Sequence, residues 1–189
     1  MFKYLKMTTL LSVIAFFSFV VIACSETKAE NEVANTNVFA INSVVTATDG
    51  TVANFNFTDK NGNKTSFKEF TKGKVVFVNF WGTWCPPCRK EIPDIIEIQK
   101  ELSNKDFMVV GIALERDQAA AITNVANFAS KNGINYTNFI GNNEIQNAYG
   151  GISAVPTTYI IGKDGKIAEK IVGMRSKADF MTSINRILK

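Results

Sequence analysis

The chain contains no histidine, and only three cysteines and four prolines among 189 residues. Without histidine there is no Ser-His-Asp triad and no histidine metal centre, so side-chain chemistry must run on cysteine and carboxylates. The formal net charge is a modest +4, and Lys and Arg are scattered rather than gathered on a face interleaved with aromatics. Nucleic acid is therefore not an expected partner. The scarce residues are also clustered: two cysteines and two prolines fall together in Cys85-Pro86-Pro87-Cys88.

That cluster is the most informative stretch. It follows an apolar run, Val75-Val76-Phe77-Val78-Asn79-Phe80, and precedes a helical pattern from Arg89 to Ile98. Two cysteines separated by two residues at a strand-to-helix junction can close a small disulfide ring. One sulfur then sits at the helix N-terminus, where backbone N–H groups and the helix dipole stabilise a thiolate. This points to thiol–disulfide chemistry with Cys85 as the exposed nucleophile and Cys88 as the resolving thiol. A zinc site would need four ligands, and only Cys24 remains to join the pair. A static disulfide is the plainer alternative, but a CxxC opening a helix after a strand is a redox signature.

The N-terminus reads as a targeting segment. Lys3 and Lys6 supply a positive start, and Leu10 to Ala23 form an apolar run short for a membrane span. Val21-Ile22-Ala23-Cys24 resembles the lipobox of bacterial lipoproteins. The resemblance implies cleavage after residue 23 and lipid on Cys24, which would leave the mature chain with no cysteine outside the motif. Residues 24–43 are rich in Glu, Asn, Thr and Ala and read as a flexible tether. The expected domain organisation is 1–23 signal peptide, 24–43 tether and 44–189 folded domain.

Within the domain, Asn54 to Thr58 alternates like a half-buried strand and turns through Asp59-Lys60-Asn61-Gly62-Asn63 into Lys64 to Phe67. Lys74 to Phe80 is continuously apolar, as for a strand covered on both faces. The helix after the motif is expected to reach about Ser103, with a kink at Pro93. Further elements are a strand over Phe107 to Ala113, a helix over Gln118 to Lys131 and a short strand over Tyr136 to Ile140. A helix over Asn143 to Tyr149 and a hairpin around Gly162-Lys163-Asp164-Gly165 follow, and a helix from Lys177 capped by Ser176 closes the chain. The order is that of an α/β domain with a mixed central sheet flanked by helices.

Phe80-Trp81-Gly82-Thr83-Trp84-Cys85-Pro86-Pro87-Cys88 and Val155-Pro156-Thr157-Thr158 resemble the thioredoxin fold, and more narrowly the TlpA/ResA-like extracytoplasmic thiol–disulfide oxidoreductases. The resemblance covers about residues 44–188. It implies an N-terminal β-hairpin, a central insertion over about residues 114–140, and a cis Val155–Pro156 bond facing the disulfide. It also implies substrate binding by Trp84, Val155 and Pro156. Trp81 flanks the motif too, with core packing as an equal alternative, and Gly173 would permit a close backbone approach.

Glu91, three residues after Cys88, shares its helix face and is the candidate proton carrier for it. The resemblance implies the same role. Asn79 stands where cytoplasmic thioredoxins keep a buried aspartate, which moves any base role to Glu91.

The implied function is thiol–disulfide exchange on protein substrates on the periplasmic side, without a cofactor, with electrons from a membrane-embedded thiol donor and a lipid anchor in the membrane. A reductant role, for example in cytochrome c maturation, is favoured because Pro86 and Pro87 offer no N–H to the Cys85 sulfur. The alternatives are a copper or apocytochrome chaperone and a thiol peroxidase of the AhpC/TSA group. The peroxidase needs Thr-x-x-Cys, and Thr83 stands two residues before Cys85.

Overall fold

The computed structural model describes residues 37–47 and 50–189. Its elements, in chain order, are β1 (Val38–Ala40), β2 (Ser43–Val45), β3 (Asn54–Thr58), β4 (Lys64–Ser66), α1 (Phe67–Phe70), β5 (Val75–Trp81) and α2 (Pro86–Glu101). There follow β6 (Phe107–Ala113), α3 (Ala121–Asn132), β7 (Thr137–Ile140), α4 (Asn143–Ala148), β8 (Thr157–Ile161), β9 (Ile167–Val172) and α5 (Lys177–Ile187).

Six strands form one sheet in the order β1-β7-β6-β5-β8-β9. The β1, β7, β6 and β5 pairings are parallel, whereas β8 and β9 join antiparallel. The sheet is mixed, as the element order implies. A second, three-stranded antiparallel sheet is β2-β3-β4.

Strand β5 is buried at all seven positions, which its unbroken apolar run requires. Its side chains alternate between two cores. Val76, Val78 and Phe80 join Phe55, Phe57, Phe67 and Phe139 on the side of the small sheet. Val75 and Phe77 join Ile95, Ile98, Phe180 and Ile184 of α2 and α5 on the other. Asn79 therefore falls on the α2 side by register.

Several boundaries differ from expectation. The tether does not run to Ser43, because β1 lies within it and pairs with β7, Val38 opposite Asn138. Phe39 packs on Phe57 and Phe139, with ring centroids 5.7 and 6.0 Å apart. A three-residue strand is too short to show a period, so composition alone hid it. Residues 1–36, on which the expected signal and most of the expected tether fall, with Cys24, lie outside the described residues. The expected hairpin is β3–β4, closed by Asp59 N–H donating to Asn63 O at 2.9 Å, and β2 adds a third strand to it. Helix α3 starts at Ala121 rather than Gln118, since the Asp117 carboxylate takes the N–H groups of Ala119 and Ala120. It ends at Gly133, whose φ of 67° makes a left-handed cap. Helix α2 continues through Pro93 to Glu101. The Ser176 cap of α5 is present as a capping box with Asp179.

Phe139 is wholly buried and touches the rings of Phe55 (4.9 Å) and Phe57 (4.7 Å) edge-on. Phe139→Ala should cost about 4 kcal/mol of unfolding free energy. A shift of less than about 1 kcal/mol in a urea titration would show that the two sheets do not depend on this cluster.

Candidate active site

Cys85 and Cys88 are joined as a disulfide. Cys85 is the N-cap of α2, and its Sγ accepts a hydrogen bond from the Cys88 N–H at 3.3 Å. Pro86 and Pro87 occupy the first two helical positions, so in that turn the Cys88 N–H is the first donor available to the sulfur. Both cysteines are nearly inaccessible, so Cys85 is not the exposed sulfur expected from the sequence, because the loop of Val155 lies over it; Trp84, just before them, is 40% exposed.

The Val155–Pro156 bond is cis. The Val155 carbonyl oxygen lies 3.7 Å from Cys85 Sγ, so the loop before β8 covers the disulfide. Gly173 N–H donates to Pro156 O at 2.8 Å, which ties the turn after β9 to that loop. Trp81 does not flank the surface. It is wholly buried, and its Nε1–H donates to Asn138 Oδ1 at 3.0 Å.

Glu91 is only 1% exposed, on the same face of α2 as Cys88. Its Oε1 accepts from Asn79 Nδ2 at 2.9 Å, and Asn79 Nδ2 also donates to Thr158 Oγ1 at 3.1 Å. Oε2 has no partner in hydrogen-bonding geometry, although the Arg175 main chain is near enough to favour the ionised form. Burial outweighs these contacts and raises the Glu91 carboxyl from 4.5 to about 7. A carboxyl that titrates near neutrality, beside a buried sulfur, can take up or release a proton at working pH.

The chain matches the Redoxin family over residues 27–184. It is 36% identical over 134 residues to the thiol-disulfide oxidoreductase ResA of Bacillus anthracis, covering 71% of this chain and 75% of that one. With the ResA of Bacillus subtilis it shares 32% identity over 135 residues, covering 69% and 72%. A crystal structure of a thioredoxin-family thiol:disulfide interchange protein from Chlorobium tepidum superposes with a TM-score of 0.65 at 36% identity. That superposition covers 76% of this chain and 99% of the other. The chain belongs to the Redoxin family. Within it, this is a ResA-like thiol–disulfide oxidoreductase of thioredoxin fold.

The thioredoxin fold places Trp84, Cys85, Cys88 and Glu91 at the start of α2 and Val155 and Pro156 on the loop over the disulfide; Cys24 lies outside the described residues. Sequence reasoning missed Glu115 and Arg116. The Glu115 carboxylate accepts from Thr83 N–H and Thr83 Oγ–H, both at 2.8 Å, and the Arg116 guanidinium lies 4.3 Å from the Trp84 ring. The available signal was their position just past the C-terminal end of a parallel strand, where α/β sheets gather their ligands.

The raised Glu91 carboxyl has a consequence for stability. Between about 4.5 and about 7 the folded form holds a proton that the unfolded form has released, so the contribution of Glu91 to stability is full below about 4.5 and is lost as pH rises through about 7. The loss should be about 3 kcal/mol in the oxidised protein. Glu91→Gln should abolish this slope; an unchanged stability–pH curve in the variant would show that Glu91 is not the group responsible.

Proposed function

We propose that this oxidoreductase works outside the cytoplasm, tethered to a membrane by lipid on Cys24, and that it reduces disulfides in protein substrates. The observation that carries the chemistry is the Cys85–Cys88 disulfide at the start of α2, covered by the cis Val155–Pro156 loop. In the reduced enzyme the Cys85 thiolate attacks one sulfur of the substrate disulfide. The substrate's second sulfur leaves as thiolate, and a mixed disulfide remains on Cys85. Cys88 gives its proton to Glu91 and attacks Cys85 Sγ, which releases the substrate's first sulfur and closes the ring. Two electrons pass to the substrate, and a membrane-embedded donor with its own cysteine pair restores the dithiol. No cofactor takes part. Val155, Pro156 and Trp84 form the substrate-binding edge.

The direction follows from the two prolines. A thiolate stabilised by many N–H groups stabilises the reduced enzyme and makes it an oxidant; potentials in such proteins span about −270 to −120 mV. With Pro86 and Pro87 supplying no N–H, the Cys85 thiolate is less stabilised and the pair is a better reductant. Reduction of cysteine pairs in cytochrome c maturation is the setting that the resemblance to ResA suggests.

Cys88→Ser should accumulate mixed disulfides with substrate through Cys85, while Cys85→Ser accumulates none. Glu91→Gln should slow ring closure more than the first attack, since the helix terminus and not Glu91 activates Cys85. Mass spectrometry of trapped species and rapid-quench alkylation against pH measure both. Equal trapping by the two cysteine variants would overturn the division of roles.

For the anchor, intact-mass analysis of the mature protein should find a lipid-modified N-terminal Cys24, and Cys24→Ala should leave the chain uncleaved or released. An unmodified Cys24 in a chain that begins elsewhere would end the lipoprotein reading.

A further inference from the structure

The two residues before Cys85 are held by three consecutive residues that leave β6. Glu115 binds Thr83 through both its N–H and its hydroxyl, at 2.8 Å each. The Trp84 Nε1–H donates to Leu114 O at 2.8 Å. Arg116 stacks over the same indole, 4.3 Å from its centre, well inside the range of a cation–π contact. Gly82 is required for this arrangement, because a Cβ there would lie 2.6 Å from Trp84 Nε1. The indole is thus fixed in place, covered on one face by a cation, and still open to solvent beside the reactive pair.

The charges around it divide by sign. The nearby carboxylates are turned onto backbone donors: Glu115 onto Thr83, Asp117 onto Ala119 and Ala120, and Asp94 onto Lys177 N–H at 2.9 Å. Glu91 is buried. The cations Arg89, Lys90 and Arg116 are exposed, as is Arg175 beyond the Gly173–Pro156 tie. Ion pairs among the described residues use Lys72, Lys163, Lys177 and Arg186, and none of these four. Four exposed cations thus stand against three carboxylates held on backbone donors, and the exposed apolar groups are Trp84 and, beyond the Gly173–Pro156 tie, Met174 at 45%.

We infer that the Trp84–Arg116 stack, held by Glu115, is a preformed ledge that receives the polypeptide flanking the substrate disulfide and favours substrates with acidic side chains beside the reacting cysteine. The inference rests on the reading of Cys85 as the attacking sulfur. The ledge supplies a flat apolar surface at little cost in ordering, and the exposed cations speed encounter with a substrate of opposite sign. Glu115 and Arg116 make no contact with the sulfurs; Glu115 is a positioning residue and Arg116 sets specificity.

The test uses disulfide-linked peptide dimers that are identical except for Asp, Ser or Lys on both sides of the cysteine. Each is mixed with the pre-reduced protein, and single-turnover reduction is followed by acid quench and chromatography. At low salt the Asp peptide should react about tenfold faster than the Lys peptide. The gap should close to about twofold at ~0.5 M salt, where exposed charges are largely screened. Arg116→Gln should lower the Asp-to-Lys rate ratio by about threefold. Lys163→Gln removes the same charge at the β8–β9 turn, at the opposite end of the sheet, and should leave the ratio as it was. Glu115→Gln removes a negative charge, so charge alone predicts a higher ratio, whereas loss of the held ledge predicts a lower one.

Equal rates for the Asp and Lys peptides, an unchanged ratio in Arg116→Gln, or a raised ratio in Glu115→Gln would each overturn the proposal. Failure of Cys88→Ser to form a mixed disulfide with the Ser peptide, or equal trapping by Cys85→Ser, would overturn the Cys85 reading beneath it, and this readout tells the two failures apart.

Discussion

Strand β5 is paired on both edges, in parallel with β6 and antiparallel with β8, and both pairings run out at one level. Trp81 stands opposite Ala113 on one side, and Phe80 stands opposite Thr157 on the other. Three loops are therefore released side by side: the one that opens α2 with Cys85, the one that carries Leu114 to Arg116, and the one that ends in Pro156. Nothing in the local sequence of any loop brings it to the other two. The register of a strand buried along its whole length does. A shift of one residue in either pairing would carry the Val155 carbonyl away from Cys85 Sγ, or Glu115 away from Thr83.

The same strand decides what lies beneath the disulfide. Alternation sends Asn79 to the α2 side, where Glu91 is already carried inward by its place on the Cys88 face. The result is a buried carboxyl with one oxygen on an amide and the other without a hydrogen-bond partner. Such a group lowers stability above neutral pH relative to an amide of the same shape. An arrangement that costs stability and titrates near neutrality beside a redox sulfur is what proton transfer at that sulfur needs. Asn79 has no group that titrates, and it holds one Glu91 oxygen by its amide.

The central features were legible in the sequence because each is local. The CxxC, the strand before it, the proline before β8 and the Ser176 cap are patterns within a few residues. The small strands β1 and β2 were not legible, since three residues show no period and their place is set by partners far along the chain, Asn138 for Val38 and Asn56 for Ser43. Glu115 and Arg116 escaped for the same reason. A Glu-Arg-Asp run after a buried strand reads as solvated charge, and only the parallel register of β6 on β5 turns it toward Thr83 and Trp84. Trp81 and Trp84 show the limit in miniature. Three positions apart in the chain, one is a core side chain satisfied by Asn138 and the other an exposed ring under Arg116.

The prolines and the ledge act on different halves of the same reaction. Pro86 and Pro87 remove donors from the sulfur, which weakens the thiolate's stabilisation and with it any indiscriminate affinity of the oxidised pair for electrons. In the proposed reductant role the pair gains little selectivity from its potential, because every accessible disulfide of higher potential is a thermodynamically allowed substrate. Selectivity must then come from the approach of the substrate. The proposed ledge lies on a separate loop, whose residues hold Thr83 and Trp84. Changes in substrate preference can therefore occur at Glu115 and Arg116 while the Cys85–Cys88 helix start, the Val155–Pro156 loop and the buried Glu91 stay as they are.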